Sequence, residues 1–252
     1  NENSLSFAYS EVRARRAGVL RELAEFGCPE VNLDFCRYPR TMGYDEPLLK
    51  RFQEVHGEDG KNFALDDPRW VSVRQEAHND FLCKLRQALD KVGEARGKRV
   101  PISIRLPATK YDTFGVDPQT WIKEGLVDVL IPGFPGWDRW YDAAAWTEMV
   151  RKSKVKVWAN VEYYRYETAQ TELTDEEVAQ GVKPGYQFRN KHEDYLHRAA
   201  EVYAEGADGM YIFNRWNQTE IFYGLSDSTY LRSWQRFQNP DNLDSEVKTS
   251  SK

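Results

Sequence analysis

The sequence predicts an α/β fold of the (β/α)8 TIM-type barrel class, with about five βα units present and the first strands lacking. Three observations carry this. Short apolar runs alternate strictly with amphipathic helical stretches, which implies a parallel sheet with right-handed crossovers. Polar residues able to do chemistry stand at the C-terminal ends of those runs, where the loops of a parallel barrel converge. No G-x-G-x-x-G and no Walker-type glycine loop follows any run, which argues against a dinucleotide-binding sheet. At 252 residues and 40% hydrophobic content the chain is long enough for one sizeable core. Residues 1–238 are read as the C-terminal part of the barrel and 239–252 as a polar, disordered tail.

In chain order, residues 11–26 are predicted to be a helix with Val12, Val19, Leu20, Leu23 and Phe26 as its apolar stripe, stopped by Gly27. The run Glu30–Pro39, E-V-N-L-D-F-C-R-Y-P, alternates Val31, Leu33 and Phe35 with polar residues and ends on a proline, as a strand does. A short helix is expected near Asp45–His56, then a glycine-bearing rim excursion over Gly57–Asp66. A long helix over Asp67–Val92 is closed by the charged segment Gly93–Arg99 and followed by a strand at Val100–Leu106. Asp117 and Pro118 open a helix with Trp121 and Ile122 inward. Strands are expected at Leu126–Ile131, Val155–Tyr164 and Gly209–Phe213. The intervening helices fall at Tyr141–Ser153 and Gln187–Glu205, with a long polar loop over Thr168–Gly185 holding a short helix at Thr174–Gln180. Five strands do not close an eight-stranded barrel, so the first three units are expected to be missing or supplied by a separate piece. Either way two sheet edges need cover.

Net charge is −5 with no Lys/Arg block, so nucleic acid is not an expected partner. No apolar run reaches the length of a membrane span. Three cysteines, Cys28, Cys36 and Cys83, are too few and odd in number for a disulfide framework, and Cys36 reads as a small buried thiol. The chain starts at Asn1 and is read as a processed or truncated product, so its compartment is not taken from the N-terminus. The histidines His56, His78, His192 and His197 lack metal-ligand spacing and are expected on exposed helices or loops. No cofactor is expected.

Two carboxylates at the ends of different strands, Asp34 and Glu162, are the candidate catalytic pair. Glycoside hydrolysis needs two such groups across the scissile bond, one giving a proton to the leaving oxygen and the other attacking or activating water. Asp34 has an alternative reading as a loop cap or an ion-pair partner of Arg37. Arg37 and Tyr38 either bind substrate hydroxyls or fix Asp34. Arg105, at a neighbouring strand end, favours the ionised form of a nearby carboxylate, which suits a nucleophile or base better than an acid. Alternation places Asn160 on the side of Glu162. Trp137, Trp140, Asn214 and Trp216 lie on strand-end loops, where flat aromatic faces suit a sugar ligand. Trp121 and Trp146 sit at helical spacing and are expected to pack.

Counting the last strand as the eighth puts Asp34 on the fourth and Glu162 on the seventh. These positions resemble the acid/base and nucleophile of the large clan of retaining barrel glycosidases. That clan carries Glu on the fourth strand, and barrels with a fourth-strand Asp nucleophile offer a second analogy, so the two roles stay open. The phrases L-S-F-A-Y-S-E-V-R (Leu5–Arg13), V-N-L-D-F-C-R-Y-P, G-Y-D-E (Gly43–Glu46) and W-V-S-V-R (Trp70–Arg74) resemble the glycosyl-hydrolase-like family-10 barrel proteins. The resemblance covers residues 5–110 by motif and the remainder by layout. The sequence departs at Cys28-Pro29-Glu30, where the family carries a D-G pair. The resemblance implies a bacterial, often exported protein acting on polysaccharide, with carbohydrate as its partner. The rival expectation is a barrel that binds glycan without cleaving it.

Overall fold

The computed structural model describes residues 5–36, 41–133, 141–161, 192–212, 224, 225, 227 and 229–231. Among these, the chain runs α1 (Ser10–Glu25), β1 (Val31–Asp34), α2 (Glu46–His56), α3 (Pro68–Arg96), β2 (Ile102–Pro107), α4 (Pro118–Lys123), β3 (Val129–Gly133), α5 (Ala143–Val150), β4 (Lys156–Asn160), α6 (His192–Ala204) and β5 (Gly209–Tyr211). The strands form one five-stranded parallel sheet in the order β1-β2-β3-β4-β5, so each βα crossover lands on the adjacent position. The α/β class with a parallel sheet is therefore as the sequence predicts. The chain divides into two compact units, residues 1–158 and 159–252.

In the first unit, β2 is buried along its whole length, as a central parallel strand covered on both faces should be. Edge strand β1 is buried on alternate residues only: Val31 and Leu33 are covered, while Asn32 is exposed. Phe35 continues the covered row, its ring centroid 4.6 Å from that of His78 on α3 and 6.1 Å from that of Trp121 on α4. Register pairs Asn32 with Ser103 and Asp34 with Arg105, which puts those four residues on the opposite, polar face.

Helix α1 departs from its predicted stripe. Its buried residues are Ala17 and Ala24, whereas Val19, Leu23 and Phe26 are 48%, 44% and 82% exposed. Small side chains on the covered face let α1 lie close against α3, and Arg13 closes that contact by reaching Asp80 of α3 at 3.1 Å and the carbonyls of Phe7 and Ala8. Helix α3 begins on Asp67, whose side chain accepts from the Arg69 N–H at 2.9 Å, with Pro68 in the first turn. It runs one turn past the predicted end. Gly93 lies inside the helix because the chain returns over it, and an added Cβ would sit 3.0 Å from the Lys98 carbonyl oxygen. The stop is Gly97, at φ 67°.

Strand β3 starts three residues later than predicted and continues through Pro132 and Gly133, beyond the predicted end at Ile131. The Leu126 N–H closes the end of α4 on the Trp121 carbonyl at 2.9 Å. Asp128 accepts from the Ile102 N–H at 2.8 Å and pairs with Arg99 at 2.8 Å. Ladder pairing begins only beyond this clamp.

Within the expected excursion Gly57–Asp66, Phe63 and Leu65 pack against a cluster that the first half of α3 shares with α2. Met42, Leu48, Phe52 and Trp70 are at most 4% exposed. The Trp70 indole N–H donates to the Gly60 carbonyl at 2.8 Å. In the second unit α6 buries Tyr195, Leu196, Ala199 and Val202 and ends at Gly206, while the Val161 N–H donates to the Tyr211 carbonyl at 3.1 Å beside β5. Among the described residues no helix is long and apolar enough to cross a membrane. The expected tail over 239–252 lies outside the described residues.

Candidate functional site: a carboxylate–guanidinium clamp at the strand ends

Strand β1 delivers Asp34 to its C-terminal end, and β2 delivers Arg105 directly beside it. Alternation decides the face. Val31, Leu33 and Phe35 are drawn to the helices by burial, so Asn32, Asp34 and Cys36 point the other way. Arg105 Nη1 lies 3.3 Å from Asp34 Oδ1 and 3.4 Å from Oδ2, and it donates to the Cys36 carbonyl at 3.4 Å. Asp34 Oδ1 accepts the Cys36 N–H at 3.0 Å. The carboxylate thus caps the turn leaving its own strand and holds an arginine from the next. Its loop-cap alternative is borne out, with Arg105 as an ion-pair partner; the Arg37 pairing expected by that alternative lies outside the described residues.

The two partners differ in burial. The Arg105 side chain is 2% exposed and that of Asp34 is 24% exposed, so the carboxylate is the member that meets solvent. One layer nearer the strand N-termini, Asn32 Nδ2 donates to Ser103 Oγ at 2.8 Å. These two residues were not singled out from the sequence, although N-L-D and S-I-R each repeat a polar residue at i and i+2, the signal of a shared strand face.

Beneath the site, His78 corrects the expectation of exposed histidines. It is fully buried on α3, with Nδ1 2.7 Å from the Gly115 carbonyl and Nε2 3.1 Å from Thr41 Oγ1. A carbonyl only accepts, so Nδ1 carries the proton and Nε2 accepts the threonine hydroxyl. Burial is the main cause that holds its pKa down to about 4, with the charges of Arg74 and Arg13 acting the same way against the Gly115 hydrogen bond. This histidine is a neutral strut under Phe35. Arg74, from the W-V-S-V-R phrase, is also buried and donates to the Leu65 and Thr113 carbonyls, while Trp70 of the same phrase fills the space over Gly60. Both have architectural roles here.

Asn160, the third described candidate, ends β4 in the second unit and is 6% exposed. Glu162, Arg37, Tyr38, Trp137, Trp140, Asn214 and Trp216 lie outside the described residues. Trp121 and Trp146 pack as expected, their indole N–H groups donating to Asn79 Oδ1 at 2.6 Å and the Ala108 carbonyl at 3.3 Å. Cys36 is buried as expected, and none of the three cysteines is in a disulfide. Among the described residues no group of three or more His, Cys, Asp or Glu side chains is placed to hold a metal ion.

A cavity of about 630 Å³ opens at the other end of the sheet, among the loops that precede β2, β3 and β4, lined by Ile122, Lys123, Val127, Lys152 and Lys154 among others. In parallel α/β folds that end carries stability more than chemistry, so the Asp34–Arg105 end remains the candidate site. No family model matches the chain, and no curated protein matches it.

Proposed function

We propose that the chain is the C-terminal part of a (β/α)8 barrel of the glycosyl-hydrolase-like family-10 type that hydrolyses a polysaccharide or oligosaccharide at the C-terminal ends of its strands. The observation that carries the reading is the Asp34–Arg105 clamp: a partly exposed carboxylate held on a strand end by a buried guanidinium and a backbone N–H. A carboxylate held in this way is oriented without rotamer search, which is what a nucleophile or base requires. Glu162, two residues beyond the end of β4, is the proposed second carboxylate. Arg37, Tyr38, Asn160, Asn214 and the aromatic residues Trp137, Trp140 and Trp216 are the proposed sugar contacts.

One observation favours a second reading, a barrel that binds glycan without turnover. Both Asp34 oxygens already face Arg105, and Oδ1 also serves the Cys36 N–H, so the group is able to act as a purely architectural clamp. Reducing-end release from a panel of soluble polysaccharides, run alongside affinity electrophoresis on the same polymers, separates the two. The hydrolase reading expects wild-type turnover that Asp34→Asn lowers by about 10³-fold or more while mobility shifts persist. Retention without release by the wild type gives the binding reading, and turnover unchanged in Asp34→Asn removes Asp34 as the catalyst.

A further inference from the structure

Helix α1 has two apolar faces, and the described residues bury one of them. At 100° per residue, Val12, Val19, Leu23 and Phe26 fall within about 60° of arc, roughly 140° from the direction of Ala17 and Ala24. Phe26 keeps helical backbone angles at the C-cap, so the same rotation applies to it. Val12 is half-buried, while Val19, Leu23 and Phe26 are 48%, 44% and 82% exposed. The stripe is about 21 Å long, the rise of fourteen residues. Exposed apolar residues gathered in one stripe mark an interaction surface, whereas the same residues scattered would need no explanation.

The charges bordering the stripe indicate what covers it. Arg15 and Glu22 lie on the same flank, two turns apart, four residues before and three residues after Val19. Of the other charges of this helix, Arg13 pairs with Asp80 at 3.1 Å and Arg21 with Glu25 at 3.3 Å, while Arg16 borders the stripe on its other flank. Arg15 and Glu22 make no ion pair among the described residues. When two helices pack antiparallel about a two-fold axis, each flank faces the same flank of its mate with the order reversed. An axis passing beside Val19 therefore sets Arg15 of one copy opposite Glu22 of the other, twice. It also lays Val12 toward Phe26 and centres the contact on the two Val19 side chains. A parallel arrangement would bring opposite flanks together and would leave Arg15 and Glu22 without each other.

We propose that the exposed face of α1 docks a second copy of this chain, giving an antiparallel α1–α1 homodimer with a Val12–Val19–Leu23–Phe26 seam and two reciprocal Arg15–Glu22 pairs. A single helix pair is a small interface, so association is expected at high protein concentration.

Sedimentation velocity of the full chain from about 1 µM to about 1 mM, a span of roughly three decades in concentration, tests this. A concentration-dependent dimer is expected. Arg15→Glu and Glu22→Arg should each weaken it by about tenfold, by placing like charges opposite each other, and the doubly exchanged variant should recover most of the loss. Leu23→Glu, at a solvent-facing position that leaves the monomer's packing intact, should abolish association. A monomer at every concentration overturns the proposal, whether the face is then bare or covered by a different polypeptide. A dimer indifferent to Leu23→Glu, or no recovery in the double exchange, overturns it too.

Discussion

The asymmetry of burial in the Asp34–Arg105 pair makes a quantitative prediction. Replacing Asp34 by Asn keeps the shape and the acceptor for the Cys36 N–H but removes one negative charge from beside a guanidinium that is 2% exposed. Breaking a fully buried pair costs about 3–5 kcal/mol when one charge is stranded. Here the carboxylate is 24% exposed, the contacts are long at 3.3 and 3.4 Å, and Arg105 keeps its bond to the Cys36 carbonyl. The expected loss is therefore lower, about 2 kcal/mol. Replacing Arg105 by Met leaves the carboxylate, the member already in contact with water, and retains most of the buried stem volume, so about 1 kcal/mol is expected. The double variant loses the pair but strands neither of its two charges. It should fall about 1–2 kcal/mol below wild type, short of the roughly 3 kcal/mol that independent sites would give. Urea unfolding midpoints followed by tryptophan fluorescence, compared at a common slope, measure all three. Additivity within about 0.5 kcal/mol, or a larger loss for Arg105→Met than for Asp34→Asn, would refute the reasoning that the buried guanidinium dictates the energetics.

Two further outcomes follow from the layer beneath. His78 is held neutral with a pKa of about 4 against 6.5 when unfolded, so between those values the unfolded chain takes up a proton that the folded chain refuses. Stability is complete above about pH 6.5 and falls by roughly 3 kcal/mol as pH is lowered to about 4. Denaturant titrations at several pH values should lose that component in His78→Gln, whatever the variant's overall stability, and an unchanged pH slope would sink the assignment. Gly60→Ala would place a Cβ 2.5 Å from Trp70 Cζ2 and 3.1 Å from Phe52 Cγ, both rings fixed in a closed cluster. A loss of about 1–3 kcal/mol is expected, seen as a lowered unfolding midpoint; a variant as stable as wild type would show that this cluster yields.

Much of this architecture was readable from periodicity. The alternation of runs predicted five strands and the helices between them, because amphipathic period and strand alternation are local properties of the chain. What failed was non-local. Val19, Leu23 and Phe26 satisfy a helical stripe as well as any core residues, and only the close approach of α3 to Ala17 and Ala24 reveals which face the fold covers. Gly93 looked like a stop because glycine weakens helices, yet the returning Lys98–Arg99 backbone leaves a Cβ there only 3.0 Å from the Lys98 carbonyl oxygen. His78 looked like one histidine among four, since nothing local announces that the Gly115 carbonyl and the Thr41 hydroxyl will converge on it. At the site, Asp34 and Arg105 were each found as strand-end residues. Their juxtaposition needed the register, which sets residue 34 opposite residue 105 across two neighbouring strands.

That register also bears on why the pair is present at all. A buried ion pair is a poor source of stability, because desolvation offsets most of the Coulombic gain and apolar residues of similar volume do as well or better. The helix-facing row of β1 and β2 follows that rule, with Val31, Leu33, Ile102, Ile104 and Leu106 all buried. The opposite row does not: Asn32 with Ser103, then Asp34 with Arg105, form two polar layers rising toward the strand C-termini. Packing alone would favour aliphatic residues at Ser103 and Arg105, which are 1% and 2% exposed. A sheet that holds polar groups at that depth, and turns the outermost carboxylate toward solvent, is what the function proposed above draws on. The polar row, more than any single residue in it, is therefore the feature on which the proposed function rests.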